Sequence, residues 1–390
     1  MAFAHSPKIV TDEIGFYYDT GNGKSYKGEP TTNLHPNPED VSSWTGDLFS
    51  NWTRSAVTSN VSIAPDGTLT ADRIGDGYGR FNSSIAAIPG QTYVFTVYLK
   101  NVSLTNNFNI TVGWGLNGSL VSYNSGATTV QISQLSNTEW TRVTTTEVAP
   151  SSGINQVQFG VAPFTGHGNP SGQTIDVWGG MIEQKSHATP YTTGTRSATE
   201  SLFDFTKTHS IDLSNVSFDS DAQMTFDGSN DYIELTGNVL NVNSFTIEAI
   251  VNITSTGNYN KPIFVAGDIS STGIWFLKHR SGLGNRLVMH GYDGVNPRVD
   301  VTSTNVVPDA ENAYVAVTFN GTSYQLYING VADGNSVLDN KVGATTTNFI
   351  GKQGGTYLDG DIPMMKVYNR GLNASEIKQN YNAIKSRFEL

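Results

Sequence analysis

The sequence predicts an all-β fold, with two antiparallel β-sandwiches and one short helix at the C-terminal end. Short runs of β-branched and aromatic residues recur along the chain and are separated by clusters of Gly, Asn, Ser and Pro, which is the pattern of strands and turns. The 390 residues include 40 glycines, as expected of sandwiches with many turns. Only the last stretch has apolar residues at helical spacing.

Four runs in the C-terminal half have strand character. They are SFTIEAIVNI (244–253), GIWFLKH (273–279), AYVAVTFN (313–320) and YQLYING (324–330). The turn residues at 320–323 separate the last two, which favours an antiparallel hairpin. The dipeptide Asn329-Gly330 is preferred where both central residues of a two-residue turn have positive φ.

The predicted helix begins near Asn373, an N-cap residue that Glu376 follows three positions later. The apolar residues Ile377, Tyr381, Ile384 and Phe388 then recur at helical spacing, so this helix should pack on a sheet. We expect the basic residues Lys378, Lys385 and Arg387 to lie on its solvated face.

Five segments of this half resemble the concanavalin A-like, laminin G-type jelly rolls, and more narrowly those of virion structural proteins of tailed bacteriophages. The segments are 226–235, 245–253, 314–331, 349–355 and 359–388. The final segment, DGDIPMMKVYNRGLNASEIKQNYNAIKSRF, is the most specific of them. The resemblance implies a virion component and no catalytic chemistry.

Residues 7–28 resemble the opening of the same phage proteins, in which this segment leads directly into the jelly roll. Here, roughly 170 residues of different character intervene, too many for a connection. We therefore expect a discontinuous laminin G-type domain of residues 1–28 and 199–390, with residues 29–198 inserted as a second domain. The strand character of GFYYD (15–19) favours a core strand over a docking arm.

The insert has its own strand pattern. Its predicted strands are 83–88, 92–102, 108–116, 128–133, 140–149, 156–163 and 174–184. Segments 33–45, 89–100, 139–146 and 177–197 resemble the carbohydrate-binding-module-like jelly rolls of phage structural proteins. The complete prediction is thus two antiparallel jelly-roll β-sandwiches, one inserted into the other.

Composition argues against several classes of protein. A net charge of −11 with only 15% charged residues argues against nucleic-acid binding. No apolar run is long enough to span a bilayer, and MAFAHSPKIV lacks the features of a secretory signal, so we expect the chain to be kept in a cytoplasm until release. The phage resemblance implies assembly in the host cytoplasm and release by lysis. The absence of Cys excludes disulfides and thiolate chemistry.

Sequence motifs do not support an enzyme. The hydrolase signature of the concanavalin A-like fold, Glu-x-Asp-x-x-Glu, is absent. Glu248 stands alone in its strand, and Asp359 and Asp361 lie in a Gly-flanked turn. A Gly-x-Gly-x-x-Gly string at 113–118 leads into another β-rich stretch rather than a helix, so we interpret it as a false positive.

No cofactor is required by these patterns, but structural Ca²⁺ is a candidate, because both resembling families often hold it. The carboxylates in question are Glu39 and Asp176 in the insert and Asp219, Asp221, Asp227 and Asp231 in the laminin G-type domain. The alternative is that Asp227-Gly228 and Asp359-Gly360 only form turns.

Sugar binding requires exposed aromatic faces beside polar side chains. Candidates with such neighbours are Trp52, Tyr78, Trp114, Tyr123, Tyr259, Trp275 and Tyr292. Core packing is the alternative for each of them. Trp140 and Trp178 fall where the resembling families place core or inter-sheet aromatics.

The resemblance and the residue patterns together predict a non-enzymatic virion structural protein, a fibre, collar or capsid-decoration component, with recognition of host surface polysaccharide as an added role. The expected partners are other virion proteins and further copies of the chain, as a trimer. Two alternatives remain: a glycan hydrolase that acts on capsule or cell wall, and a host-encoded surface adhesin.

Overall fold

The computed structural model describes most of the chain. The described residues are 8–50, 56–75, 79–162, 173–241, 243–254, 260–268, 272–279, 284–295, 299–338 and 347–390. They form two compact units. Unit 1 comprises Met1–Pro30, Ser197–Asp219 and Gln223–Leu390, and unit 2 comprises Thr31–Arg196 and Ser220–Ala222.

The strands are numbered in chain order. The first belongs to unit 1: β1 (Ile14–Asp19). Unit 2 follows with β2 (Thr31–Thr32), β3 (Ala56–Ser62), β4 (Ala71–Gly75), β5 (Arg80–Phe81), β6 (Ile85–Ala86), β7 (Thr92–Asn101), β8 (Phe108–Leu116), β9 (Ser119–Val130), β10 (Thr141–Val148), β11 (Gln156–Ala162), β12 (Thr174–Glu183) and β13 (Thr195–Arg196).

The remaining strands return to unit 1. They are β14 (Ser217–Phe218), β15 (Met224–Asp227), β16 (Ile233–Thr236), β17 (Phe245–Ile253), β18 (Lys261–Asp268), β19 (Thr272–His279), β20 (Arg286–Tyr292), β21 (Val299–Val306), β22 (Asn312–Phe319), β23 (Ser323–Ile328), β24 (Val331–Leu338), β25 (Thr347–Ile350), β26 (Lys352–Gln353), β27 (Thr356–Tyr357) and β28 (Asp359–Tyr368). The helix α1 spans Ala374–Ile384, and short 3₁₀ helices span Val41–Ser43, Ile132–Gln134 and Ala198–Glu200.

Unit 1 contains two large antiparallel sheets and the short two-stranded sheet β26-β27. The eight-stranded sheet has the order β14-β15-β28-β17-β22-β23-β24, and β1 also pairs with β28; the six-stranded sheet has the order β16-β25-β18-β19-β20-β21. Side chains from both sheets, such as Ile247, Phe276 and Met289, fill one core. The all-β prediction is confirmed, and GFYYD does form a strand.

The predicted hairpins of unit 1 are confirmed. β22 pairs with β23 across the turn at 320–322, and β23 pairs with β24 across Asn329-Gly330. The φ angles of Asn329 and Gly330 are 49° and 72°, as the two-residue hairpin turn requires.

Helix α1 covers the other face of the eight-stranded sheet. Asn373 accepts hydrogen bonds from the backbone amides of Ser375 and Glu376, and Glu376 returns the contact, so the predicted capping box is confirmed. Ile377 and Ile384 are buried against Tyr314 and Met364. The helix ends at Ile384, before Phe388, which nevertheless packs on this cluster.

Unit 2 also contains two large antiparallel sheets, each with five strands, and the short two-stranded sheet β2-β13. One has the order β10-β7-β12-β4-β3, and the other has the order β5-β11-β8-β9 with β6 paired to β11. Phe95 and Phe159 stack in its core with ring centroids 5.3 Å apart. The sequence pattern missed β3 and β4, and β9 begins nine residues earlier than the run at 128–133 indicated.

Candidate functional site

The outer face of the six-stranded sheet in unit 1 presents the best candidate site. Along β19, Ile274 and Phe276 point into the core, so Trp275 between them points outward. The same alternation on β25 buries Asn348 and Ile350 and turns Phe349 outward. Two aromatic side chains therefore lie on the face that the core does not use.

Cross-strand pairing joins these residues into one row, which we call the transverse row. It consists of Glu234, Phe349, Val265, Trp275, His290 and Asp300, one residue from each strand and each directly opposite the next. Neighbouring strands are about 4.8 Å apart, so the row extends about 24 Å across the sheet.

Trp275 is the central aromatic of the row. Its ring is edge-on to that of His290, with centroids 6.3 Å apart and planes at 88°. The side chain is partly exposed, but its Nε1 is buried and has no hydrogen-bond partner among the described residues. An unpaired buried donor is rare in folded proteins and calls for an explanation.

His290 and Asp300 form the polar end of the row. Their side chains are 18% and 48% exposed, and His290 Nδ1 contacts Asp300 Oδ1 directly. The pair therefore presents a carboxylate to solvent and holds the imidazole beside the indole.

Tyr292 lies two residues after His290 and therefore on the same face. It is partly exposed and lies opposite Gly273. Leu277 and Val288, also on this face, are buried, so the accessible part of the face is centred on Trp275 and Tyr292. The structure thus brings together two residues that the sequence predicted separately.

The side-chain ammonium group of Lys352 lies near the Phe349 end of the transverse row. Lys352 Nζ is 3.7 Å from the ring centroid of Tyr232 and 4.9 Å from that of Phe349. Tyr357 completes the cluster at 6.0 Å from the same nitrogen. Cation–π attraction therefore holds the ammonium group over these rings.

The other described aromatic candidates, Trp114 and Tyr123, belong to unit 2 and are not part of this face. Trp114 is only 5% exposed and packs edge-on to Tyr93 in the core of unit 2, so it cannot offer a ring face to a sugar. Its alternative assignment, core packing, is the correct one. Tyr123 is 55% exposed on β9. Trp52, Tyr78 and Tyr259 lie outside the described residues.

Trp178 is 2% exposed and packs in a small core cluster of unit 2, one of the two kinds of position that the resemblance implied. It lies on the opposite face of β12 from Val177 and packs with Ala64, Ala71 and the partly exposed Trp140. Its indole Nε1 donates to Thr70 Oγ1 at 3.0 Å. The pair of tryptophans stabilises a small separate cluster.

Asp176, a calcium candidate, is buried against cations. Arg73 Nε lies 2.7 Å from its Oδ1, and Lys100 Nζ lies 3.6 Å from its Oδ2. Glu39 accepts a hydrogen bond from the Tyr191 hydroxyl at 3.2 Å. A carboxylate that already neutralises two cations is poorly suited to bind Ca²⁺.

The carboxylates of the second calcium group form turns. Asp227 accepts from the backbone amide of Ser229 at 2.7 Å, and Asp231 accepts from that of Asp227 at 2.8 Å. Asp219 accepts from the amide of Gln223 at 2.9 Å, and Asp221 lies in the same turn. Among the described residues, no three His, Asp or Glu side chains converge as a metal site requires, so calcium binding stays a prediction.

Two of the carboxylates considered for catalysis, Glu248 and Asp361, have different surroundings. Glu248 is fully buried and pairs with Lys366 at 2.8 Å. Burial raises the pKa of Asp361, a hydrogen bond from Thr225 lowers it, and the charges of Asp219 and Asp359 raise it further. The net effect raises the pKa of Asp361, so this carboxyl retains its proton to a higher pH than an ordinary aspartic acid.

Residues 227–378 match the family model of the concanavalin A-like lectin/glucanases superfamily. They form a laminin G-type domain. No curated protein matches the chain.

Among solved structures, domain 4 of the arabinanase AbnA from Geobacillus stearothermophilus, in complex with arabinotriose, is similar at 14% identity and a TM-score of 0.39. That match covers 47% of this chain and 93% of the arabinanase domain. A Trypanosoma rangeli sialidase in complex with sialic acid matches at 17% identity, with a TM-score of 0.36 and coverage of 47% and 31%. The receptor-binding domain of botulinum neurotoxin type G matches at 17% identity, with a TM-score of 0.36 and coverage of 47% and 48%. This chain thus spans about a third of the sialidase and about half of the neurotoxin domain.

Sequence reasoning missed His290, Asp300, Phe349 and Lys352 as members of the laminin G-type site. The available signal was alternation, because Phe349, His290 and Asp300 each stand next to a core residue in their own strands. Alternation does not show which strands are neighbours, and the row exists only through that pairing.

Proposed function

We propose that this protein binds polysaccharide through the outer face of the six-stranded sheet, as a non-catalytic structural component of a tailed-phage virion. The transverse row carries the proposal, because it places the Trp275 ring beside His290 and Asp300 on an accessible face.

The chemistry of this face suits a sugar chain. The C–H faces of a pyranose pack on an aromatic ring, while its hydroxyls need donors and acceptors close to that ring. Asp300 supplies an exposed acceptor, and Tyr292 adds a second ring on the same face. The accessible part of the row runs from Trp275 across His290 to Asp300, two strand spacings or about 10 Å, because Val265 is buried.

The placement of carboxylates on this face supports binding rather than hydrolysis. Glycoside hydrolysis uses two carboxyl groups about 5–10 Å apart. Glu234 and Asp300 occupy opposite ends of the row, five strand spacings or about 24 Å apart. Neither is therefore positioned to assist the other.

The assignment to a virion rests on the sequence resemblance of residues 7–28 and 359–388 to phage structural proteins. Within that assignment we propose that the chain is present in symmetric copies, as a trimer, and contacts other virion proteins. Among the described residues, no helix is long and apolar enough to cross a bilayer.

Polysaccharide binding is tested by affinity electrophoresis of the full chain in gels that contain surface polysaccharide from the host. Trp275→Ala should weaken retardation about tenfold in apparent Kd, the scale of one lost aromatic contact. Phe203→Ala, at a 41% exposed aromatic residue in unit 1 but off this face, should bind as wild type. Equal binding by the Trp275→Ala variant and the wild-type protein would refute the assignment of binding to this face.

The virion assignment is tested separately by immunogold electron microscopy of purified phage particles, with antibody against unit 2. Label at a discrete tail, neck or head position supports it, and antigen that remains wholly soluble refutes it. If the wild-type protein releases reducing ends from the polysaccharide and the Asp361→Asn variant does not, the proposed function would be a hydrolase rather than a binding protein.

A further inference from the structure

Three polar side chains from three different elements meet beneath helix α1 in unit 1. Glu248 is on β17, Lys366 is on β28 and Asn380 is on α1, and all three are 0% exposed. Burying an ion pair is costly unless its geometry is excellent, so this position demands a physical explanation.

One carboxylate bridges the other two groups. Lys366 Nζ lies 2.8 Å from Glu248 Oε2, and Asn380 Nδ2 donates to Glu248 Oε1 at 2.8 Å. The amine and the amide nitrogen thus contact the two oxygens of the same carboxylate. Both distances lie within the range required for direct proton transfer.

The fold determines this meeting. Glu248 and Lys366 lie directly opposite each other in the β17–β28 pairing, so their side chains share one face of the sheet. The capping box at Asn373 fixes where α1 begins. Asn380 lies between Ile377 and Ile384 at helical spacing, so it faces the sheet with them.

The side-chain carbonyl oxygen of Asn380 also accepts a hydrogen bond. The backbone N–H of Val10 donates to Asn380 Oδ1 at 2.7 Å. The Tyr368 hydroxyl accepts from Asn380 Nδ2 at 3.0 Å and donates to the carbonyl oxygen of Val10 at 2.9 Å. A backbone N–H aimed at an amide oxygen is the arrangement that stabilises a negative charge as it develops there.

We propose that Lys366 and Asn380 become joined by an isopeptide bond, with Glu248 as the proton carrier. Lys366 passes a proton to Glu248 across their 2.8 Å contact, which leaves both groups neutral. The amine then attacks Asn380 Cγ, and the N–H of Val10 stabilises the resulting oxyanion.

The step balances without an external reagent. The bond from Lys366 Nζ to Asn380 Cγ forms, and the bond from Cγ to Nδ2 breaks. Glu248 gives its proton to the departing nitrogen and takes one from the attacking nitrogen, so one ammonia leaves and the carboxyl group stays neutral, as it became when Lys366 first gave up its proton. No electron is gained or lost.

Formation of the isopeptide bond removes the free-energy cost of keeping an ion pair buried. A neutral amide and a neutral carboxyl replace the buried charged pair, and helix α1 becomes covalently attached to β28. The chain contains no Cys, so a disulfide cannot supply such a link. A covalent link between the last helix and the sheet would suit the virion component proposed above.

Mass spectrometry of the full chain under denaturing conditions tests the proposal. The wild-type mass should be lower than the sequence mass by one ammonia, and a tryptic digest should contain one branched peptide that joins Lys366 to Asn380. A folded wild-type chain at the full sequence mass, with no branched peptide after prolonged incubation, would overturn the proposal.

Variants separate the bond from a purely structural role. Glu248→Gln and Lys366→Arg should each have the mass expected from their sequence and yield no branched peptide. Lys278→Met is the matched control, because Lys278 is a buried lysine that bonds elsewhere, to Asp309 at 3.0 Å, and it should retain the link. Ammonia loss that persists in Lys366→Arg would come from another site and would contradict the proposal. If Glu248→Gln fails to fold, the Lys366→Arg result decides.

Discussion

Asp19 and Arg387 are joined by a two-point ion pair although 368 residues separate them in the chain. Arg387 Nη1 donates to Asp19 Oδ2 at 2.6 Å, and its Nη2 contacts Oδ1. Asp19 lies at the end of β1 and is 1% exposed. The sequence pattern indicated that Arg387 lies on the solvated face of the helix. Instead, Arg387 links the C-terminal segment to the first strand through this ion pair.

Arg387→Met should lower the free energy of unfolding by about 1–3 kcal/mol, since the buried carboxylate would lose its cation but keep the amide of Gly21 as a donor. Lys385→Met is the control. Its nitrogen lies 5.6 Å from the Tyr381 ring, and its removal should cost less than about 0.5 kcal/mol. Equal losses in urea unfolding would show that the ion pair contributes nothing of its own.

His35 in unit 2 should make stability depend on pH. Burial lowers the pKa of its imidazole to about 3, from 6.5 in the unfolded chain. Between these values the unfolded chain binds a proton that the folded chain does not bind, so stability is complete above pH 6.5 and is lost as pH falls toward 3. The slope should be about 1.4 kcal/mol per pH unit.

Thermal or urea unfolding between pH 4 and 7 measures this slope. His35→Gln should reduce it, whereas His187→Gln, at a partly exposed histidine, should leave it unchanged. A wild-type slope that survives in His35→Gln would assign the dependence to other groups.

Gly360 should not tolerate a side chain. Its φ is 133°, and an added Cβ would lie 2.1 Å from the carbonyl oxygen of Asn252, beside the irregularity in the β17–β28 pairing. Gly360→Ala should destabilise the protein by at least about 2 kcal/mol. Gly355→Ala, where nothing lies within 4 Å, should be tolerated, and a comparison of their urea midpoints checks both. Equal midpoints would contradict the close approach.

Local sequence predicted the strands well where apolar residues repeat. β8 begins and ends where the run at 108–116 indicated. β9 was harder, because an exposed edge strand carries no buried alternation, and its start after the Asn117-Gly118 turn was not recognised. The pattern did identify the capping box of α1, since all its determinants lie within four residues.

The sites were only partly predictable for the same reason. Trp275 and Tyr292 were identified as aromatic residues beside polar ones, but their partners His290 and Asp300 depend on strand pairing. Glu248 seemed isolated because Lys366 is 118 residues away. Chemistry that arises from long-range register leaves no signal at short range in a single sequence.

The most direct test of the polysaccharide-binding face is NMR of the indole N–H signals of the full chain. The six tryptophans give separate probes, and Trp275→Phe assigns the relevant signal. Titration with oligosaccharides from the host surface polysaccharide should shift the Trp275 signal and leave the core residues Trp44 and Trp114 unmoved. Saturable binding that leaves the Trp275 signal in place would contradict the account.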